Sequence, residues 1–260
     1  MNAKWYIRGK TNLKSSKTLK KKDKFDGEIR LFPHFYFCFL NKSSIFANVR
    51  NKCKNIMLTV EKINLNYITF CNKLKKYNCY SEQMIDDLGE QLKNCSFSLN
   101  NDSGSAYQGS LIDIVLNHLC SIAYSINEVA FGTNSKFSSM RVNIDMLMRV
   151  LLLQHISKAE MFIDTRETWK INKGMLYEFN PNIKSALKLG ERSLYLCQKY
   201  GISLTEEEYE AIRIIDKTDD DKIMFYMNPL CSIVKAANQF VATEMRQKYI
   251  NNKQKETIEE

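Results

Sequence analysis

The fold of this chain is decided by residues 143–159, which read NIDMLMRVLLLQHISKA. Asn143 can accept hydrogen bonds from the first free backbone N–H groups, so it is the expected N-cap of a helix that runs to about Ala159. Apolar side chains within residues 144–156 lie on nearly every side of this helix. A helix that is apolar all round is typical of the centre of a bundle, so we expect other helices to surround it.

Two more helices are predicted on the N-terminal side of this stretch. Apolar residues at helical spacing predict a helix over residues 82–94. A polar loop over residues 100–109 separates it from a long apolar helical face over residues 111–126, for which Ser110 is the expected N-cap. Residues 57–79 are compatible with a strand followed by a helix.

A small hairpin is predicted after the central helix. Residues 162–163, 169–171 and 175–179 are short β-like runs of apolar and aromatic side chains. The tripeptide Asn172-Lys173-Gly174 forms a good turn between the last two runs. We therefore expect residues 169–171 to pair with residues 175–179.

Three further helices are predicted towards the C-terminus. One covers residues 186–200 and ends at Gly201, which suits a left-handed C-cap. The next opens with a capping box at residues 205–208 and runs to Asp216, and the last starts near residues 228–229. Together these patterns predict a mainly α fold, a helical bundle with a small inserted β-hairpin.

Composition agrees with a globular helical chain. The 260 residues are 44% hydrophobic and 26% charged, and nine Gly with three Pro are too few for a turn-rich β-barrel or sandwich. The longest uncharged apolar run, residues 31–40, is half a membrane span, so we expect no membrane partner. We divide the chain into a basic leader over residues 1–24, a poorly assigned segment over 25–81, a helical domain over 82–250 and a polar C-terminal tail over 251–260.

The net charge of +9 lies almost entirely in the leader. Residues 1–24 carry nine Lys or Arg against the single acid Asp23, which leaves about +1 for the rest of the chain. We expect a disordered, solvated leader that contacts nucleic acid weakly and without sequence preference. Translation could also begin at Met57, in which case residues 1–56 would not belong to the natural protein.

The eight cysteines predict neither a disulfide framework nor a zinc site. None of them forms a Cys-x-x-Cys pair, and no Cys/His cluster has zinc-finger spacing. Residues 31–40 lie too far from the N-terminus for a secretory signal and are interrupted by Pro33 and His34. We therefore expect reduced, buried thiols in a cytoplasmic protein.

Four short motifs between residues 82 and 246 follow one another in a recognisable order. They are Tyr107-Gln108-Gly109-Ser110-Leu111-Ile112-Asp113, Leu152-Leu153-Gln154-His155-Ile156-Ser157-Lys158-Ala159, Gly190-Glu191-Arg192-Ser193 and Ala237-Asn238. In order and spacing this part of the chain resembles the HD-domain superfamily of metal-dependent phosphohydrolases, and most of all a bacterial and phage branch that has a hairpin after its HD helix. The resemblance implies an HD-like helical bundle.

The resemblance also implies where metal ligands would stand, and those positions are degenerate in this sequence. They fall on Ile114, Gln154, His155 and Asn238, where the family has His, the His-Asp pair and a closing Asp. No carboxylate remains among the four, so a hard divalent cation would lose its water without compensation. Our first hypothesis is therefore a pseudoenzyme without metal or other cofactor, which acts as a binding or scaffold module.

Two alternatives remain open for the function. A metal-dependent phosphohydrolase with a rebuilt site would use His118 and His155, with His118 one turn after Ile114 and on the same side of its helix. The other alternative is a nucleic-acid-associated protein that works through residues 1–24. The candidate carboxylates of the rebuilt site are Asp113, Glu191 and Asp216.

The ligand of a degenerate domain also stays open. A nucleotide would be held at its phosphates by Lys158 and Arg192, which stand next to the second and third motifs. A protein partner is the other possibility, and the sequence does not choose between them.

Overall fold

A computed structural model describes residues 58–100, 103–172, 175–216 and 227–259. Most of these residues are helical, and the strands among them form one two-stranded antiparallel sheet. The predicted mainly α bundle with a small β-hairpin is therefore confirmed. The leader over residues 1–24 and the aromatic segment up to residue 57 lie outside the described residues, so the expectations about them stay predictions.

The helices of the described residues surround a central pair. Two π-helical turns, Val115–Leu119 and Ile126–Ala130, alternate with two α-helical segments, so residues 110–130 form one continuous helix. The α-helices in chain order are α1 Val60–Lys76, α2 Glu82–Asn94, α3 Ser110–Ile114, α4 Cys120–Ser125, α5 Ile144–Leu153, α6 Lys158–Met161, α7 Thr168–Asn172, α8 Leu189–Lys199, α9 Glu206–Arg213 and α10 Pro229–Glu259. Short 3-10 turns cover Ser138–Met140 and Ile214–Asp216.

Side-chain caps fix where several helices begin. The hydroxyl of Ser81 accepts from Met84 N at the start of α2, and the side chain of Asn143 accepts from Asp145 N at 2.7 Å at the start of α5. Thr205 and Glu208 form the predicted capping box of α9. Gly201 follows α8 with a φ of +68°, the left-handed conformation expected of it.

Ser110 is not the N-cap that the sequence predicts. Gly109 takes that place with a φ of +75°, and Ser110 is the first residue of α3. The Ser110 hydroxyl instead accepts from Phe97 N at 2.8 Å and donates to Ser105 O at 2.7 Å. The side chain is therefore used to hold the loop before α3 and not to cap the helix. Within residues 58–79 we find the helix α1 and no strand.

The centre of the bundle is α5, as its all-round apolar pattern predicts. Leu147, Val150, Leu151, Leu152 and Leu153 are all almost completely buried. The helix contacts α9, α10, α4 and α1, which places it among the other elements. Since α1 also packs against α2 and α3, the poorly assigned segment before residue 82 contributes a helix to the same bundle.

The central helix ends earlier than the sequence predicts, at Leu153 instead of about Ala159. Its last carbonyl, Gln154 O, accepts from the hydroxyl of Ser193 on α8 at 2.9 Å, and that hydroxyl also accepts from Ser157 N at 3.3 Å. The hydroxyl of Ser157 donates to Leu189 O at 2.8 Å. These bonds across the bundle satisfy the backbone of the turn over residues 154–157, so the helical hydrogen bonds are not needed there.

An arginine clamp ties α5 to α9 and to the end of α1. Arg149 donates to the buried carboxylate of Glu208 at 2.6 Å. Its remaining N–H groups donate to three backbone carbonyls, those of Tyr77, Asn78 and Ser203. Glu208 is only 1% exposed, so the guanidinium is what balances its charge inside the protein.

The hairpin pairs different strands from those predicted. The strands are β1 Phe162–Asp164 and β2 Tyr177–Phe179, with Phe162 opposite Phe179. The predicted strand over residues 169–171 is wrong, because these residues lie in α7. Thr165 N donates to Leu176 O at 2.9 Å, which continues the β1–β2 ladder and leaves residues 166–175 as the connection between the strands.

The last helix, α10, runs without interruption past residue 250 to Glu259. Its first half carries the buried apolar residues of the predicted face, among them Leu230, Ile233 and Val241. Asn228 caps it by accepting from Cys231 N at 2.8 Å. Across the described ranges, no helix combines the length and the apolar character that crossing a bilayer would require.

Candidate functional site

Three of the four predicted ligand positions meet between the end of α5 and the middle of α10. Nε2 of His155 lies 3.0 Å from Oδ1 of Asn238, and Nδ2 of Asn238 donates to Oε1 of Gln154 at 3.0 Å. The turn after α5 supplies the first two residues, and α10 supplies the third. We call Gln154, His155 and Asn238 the amide–imidazole cluster. Ile114, the fourth position, is fully buried as an apolar core residue.

The hydrogen bonds of Asn238 fix the proton on His155. Nδ2 of Asn238 donates both to Gln154 Oε1 and to Val234 O at 2.9 Å. Oδ1 therefore faces His155, and since an amide oxygen can only accept, Nε2 of His155 must carry the hydrogen. The neutral imidazole then has a bare lone pair on Nδ1.

Burial keeps this imidazole neutral. His155 is 7% exposed and Gln154 is not exposed at all. Burial lowers the pKa of His155 well below its usual value, the nearby charge of Lys158 lowers it further, and the hydrogen bond to Asn238 opposes both to a smaller extent. The cluster therefore carries no charge at neutral pH.

Two atoms of the cluster have no hydrogen-bond partner among the described residues. They are Nδ1 of His155 and Nε2 of Gln154, and both atoms are buried. Buried polar atoms without a partner are uncommon in proteins and costly when nothing satisfies them. The cluster therefore has one free acceptor and one free donor group.

Lys158 is buried beside the cluster. It is 5% exposed, its Nζ donates to Phe97 O at 2.7 Å, and Nζ lies 3.6 Å from the centre of the Phe97 ring. Burial lowers the pKa of Lys158 to about 7, and the charges of Cys95 and Asp216 act against this shift. The side chain is thus turned towards a backbone carbonyl and an aromatic ring.

Phe97 also contacts the cluster directly, a role that the sequence did not reveal. Its ring stands edge-on to the imidazole of His155 at 4.9 Å between centroids. Phe97 lies in the irregular segment after α2, where no periodicity marks a residue as buried or functional. Only the long-range bond from Lys158 to Phe97 O brings it to this place.

The predicted anion-binding pair is engaged by the protein itself. Nε and Nη2 of Arg192 both donate to Oε2 of Glu160, at 2.8 and 2.6 Å. Lys158 binds Phe97 O. The two cations therefore have separate protein partners, and the expectation that they jointly hold a phosphate is not supported by their geometry.

The residues of the rebuilt metal site do not come together in the described part of the chain. His118 pairs through Nδ1 with Glu244 at 3.1 Å, whereas His155 pairs with Asn238. None of the recorded bonds joins two members of the set, and no group of three or more His, Cys, Asp or Glu side chains suited to a metal occurs in residues 58–100, 103–172, 175–216 and 227–259. The rebuilt site was therefore the wrong grouping.

The three candidate carboxylates each have another task. Asp113 is buried and accepts from Tyr107, Asn66 and Asn117 at 2.7 to 3.0 Å. Glu191 accepts from the backbone N–H of residue 188, and Asp216 accepts from that of residue 190. All three serve to join segments of the bundle.

A π-helical turn separates Ile114 from His118. In a regular α-helix the two residues would lie on one side, but residues 115–119 close i to i+5 hydrogen bonds and form a wider turn. Ile114 is completely buried, whereas His118 is partly exposed and reaches Glu244 on α10. The prediction that the two side chains point the same way is therefore wrong.

The donor atoms of the amide–imidazole cluster do not fit a divalent cation. The amide oxygens of Gln154 and Asn238 already accept hydrogen bonds from their neighbours, so Nδ1 of His155 is the one bare donor atom of the cluster. Catalytic zinc sites use three protein ligands, and harder cations need carboxylates. The residues present thus do not make a metal centre.

In comparisons with protein-family models, curated proteins and solved structures, the chain matches none of them. The HD-domain resemblance thus rests on the four sequence motifs alone and stays a prediction.

Proposed function

We propose that this chain is a catalytically inert HD-like domain that acts as a binding module. The observation that supports this is the meeting of Gln154, His155 and Asn238, three of the positions at which the resemblance would require metal ligands. They join as a neutral hydrogen-bonded cluster, while the fourth position, Ile114, is part of the core.

The chemistry of the cluster explains the proposed loss of catalysis. Metal-dependent hydrolysis of a phosphoester requires a cation that lowers the pKa of bound water and neutralises a phosphoryl oxygen. Two amides and a neutral imidazole supply neither the negative charge nor the number of free donor atoms that hold such a cation. The bundle around them is intact, so the position remains available for binding.

The first test uses the purified full chain. Metal content would be measured by inductively coupled plasma mass spectrometry after dialysis against Mn²⁺, Mg²⁺ or Zn²⁺, and a panel of nucleotides and phosphomonoesters would be assayed with each metal. We expect less than stoichiometric metal and no turnover. One tightly bound cation per chain together with hydrolysis would contradict the proposal.

A second test asks whether these positions correspond to a metal centre. We would restore the ligand types in one variant, Ile114→His, Gln154→His, His155→Asp and Asn238→Asp, and expect it to bind Mn²⁺. The matched control carries His155→Asn and keeps Asn238, so that it has the same shapes without the carboxylates. If the restored variant folds, as judged by circular dichroism, and binds no more Mn²⁺ than the control, the HD-like assignment is wrong.

A further inference from the structure

We infer that the amide–imidazole cluster binds an uncharged group that both donates and accepts a hydrogen bond, such as a hydroxyl or a carboxamide, in place of a cation or a phosphate. The inference rests on the proposed function and names the class of ligand for the same site. It depends on which hydrogen-bonding capacity the cluster uses internally and which it leaves free.

His155 leaves an acceptor free. Its Nε2 hydrogen is given to Asn238 Oδ1, which follows from the two donations of the Asn238 amide group to Gln154 and Val234. Nδ1 therefore holds a lone pair, and no described residue donates to it. A ligand that satisfies this atom must bring a hydrogen.

Gln154 leaves a donor free. Its Oε1 accepts from Asn238 Nδ2, which fixes the orientation of the amide, because the opposite orientation would set two donors against each other. Nε2 therefore has its hydrogens unused, and it is buried without a partner among the described residues. A ligand that satisfies this atom must bring a lone pair.

The charges around the cluster disfavour ionic ligands. A cation at His155 Nδ1 would meet the N–H groups of Gln154 and no carboxylate of the cluster, and Lys158 lies one turn further along the chain. A fully ionised phosphate could accept from Gln154 but has no hydrogen to give to Nδ1. Lys158 and Arg192, which would attract it, donate instead to Phe97 O and to Glu160.

The position of the cluster suits a small group. Gln154 and His155 are buried, whereas Asn238 is partly exposed, so the cluster lies at the edge of the core. The ring of Phe97, edge-on to His155, supplies an apolar wall. Hydroxyl and carboxamide groups carry a donor and an acceptor within a few ångströms and no net charge, so they meet both free atoms of the cluster.

The experiment is a titration of the full chain with acetamide, followed by ¹⁵N NMR of the histidine side chains. Without acetamide we expect the shifts of His155 to show the Nε2–H tautomer. Acetamide should move the Nδ1 resonance saturably, with a dissociation constant on the order of millimolar for so small a ligand. Inorganic phosphate should not move it, and Mn²⁺ should not broaden it.

Matched variants connect the effect to the cluster. Gln154→Met removes the donor at similar volume and should weaken acetamide binding at least about tenfold, while Gln198→Met on the exposed face of α8 should leave it unchanged. If Gln154→Met does not fold, Gln154→Glu keeps the shape, replaces the donor with an acceptor and should have the same effect.

Several outcomes would overturn the inference: an Nδ1–H tautomer, no saturable shift with acetamide, or equal binding by the Gln154 variant and the Gln198 control. A response to phosphate that matches the response to acetamide would also overturn it. These results are separate from those that test the proposed function, since a chain without metal and turnover could still fail to bind acetamide, and a metal-binding chain would show Mn²⁺ broadening.

Discussion

Replacing Lys158 with methionine should make the protein more stable at neutral pH. The ammonium group of Lys158 is buried, with no carboxylate within ion-pair distance among the described residues. Its compensating contacts are the hydrogen bond to Phe97 O and the face of the Phe97 ring. Lys158→Met keeps the length of the side chain and removes the charge, so the variant measures what burying this charge costs.

The magnitude follows from the pKa of Lys158, which falls from 10.5 to about 7 on folding. Because the folded chain binds fewer protons than the unfolded chain between these values, stability rises with pH there. By linkage the cost of the buried ammonium is about 4 kcal/mol at pH 7 and nearly 3 kcal/mol at pH 8.5, a difference of about 1.5 kcal/mol.

Methionine also loses two favourable contacts. The bond to Phe97 O contributes about 1.5 kcal/mol and the cation–π contact about 1 kcal/mol. The net expectation is that Lys158→Met is more stable than the parent chain by about 1 to 2 kcal/mol at pH 7. At pH 8.5 most of this advantage should have disappeared, because the parent chain no longer has to bury as much charge.

The assay is urea denaturation at pH 7 and at pH 8.5, followed by circular dichroism. Terms that are the same at both values cancel in the comparison, so the difference between the two ΔΔG values isolates the proton linkage. Lys136→Met, at an exposed position, is the control and should change stability equally at both pH values. A ΔΔG for Lys158→Met that stays constant within about 0.5 kcal/mol would refute the reasoning.

Three other substitutions test the packing around the site. Arg149→Met leaves the Glu208 carboxylate buried without its guanidinium and should cost about 3 to 5 kcal/mol in urea denaturation, whereas a cost below about 1 kcal/mol would mean that the clamp is unimportant. Gly104→Ala should cost at least about 2 kcal/mol, because its Cβ would stand 2.4 Å from a carbonyl of α10, while Gly201→Ala, with similar φ and open space, should cost about 1 kcal/mol. Burial alone would raise the pKa of Glu244, but two cationic neighbours lower it to about 2, so Glu244→Gln should lose about 1 kcal/mol above pH 4.5 and nothing near pH 2.

Local signals in the sequence were enough for most of the helices. The apolar pattern of α5 predicts its central position, and Asn143, Thr205 and Gly201 lie where their capping roles require them. These features depend on residues within four positions of one another. They can therefore be inferred without knowing which distant segments meet.

The errors occur where distant residues decide the local structure. The turn over residues 154–157 ends the central helix because Ser193 and Leu189 of α8 supply its hydrogen bonds. The run over 169–171 has strand-like residues, yet β1 takes the place opposite β2, so these residues remain in the connection. Such competition between segments is not encoded in the periodicity of either one.

The site was predicted in part. The motifs pointed to Gln154, His155 and Asn238 as one group, and hydrogen bonds join them. The burial of Lys158 could not be inferred, because a lysine near the end of an apolar helix most often reaches solvent. Its contact with Phe97 spans 61 positions in the chain, and neither residue carries a pattern that would reveal the other.

The two wide turns in the helix over residues 110–130 affect how this chain should be aligned with others. A turn closed by i to i+5 bonds accommodates an extra residue compared with an α-helical turn. Against a protein whose equivalent helix is regular, an ungapped alignment would slip out of register after Ile114 and again after Ser125. Searches for distant homologues should therefore allow a single-residue gap at each of these points, and they should assign equivalent positions on this helix from superposed coordinates.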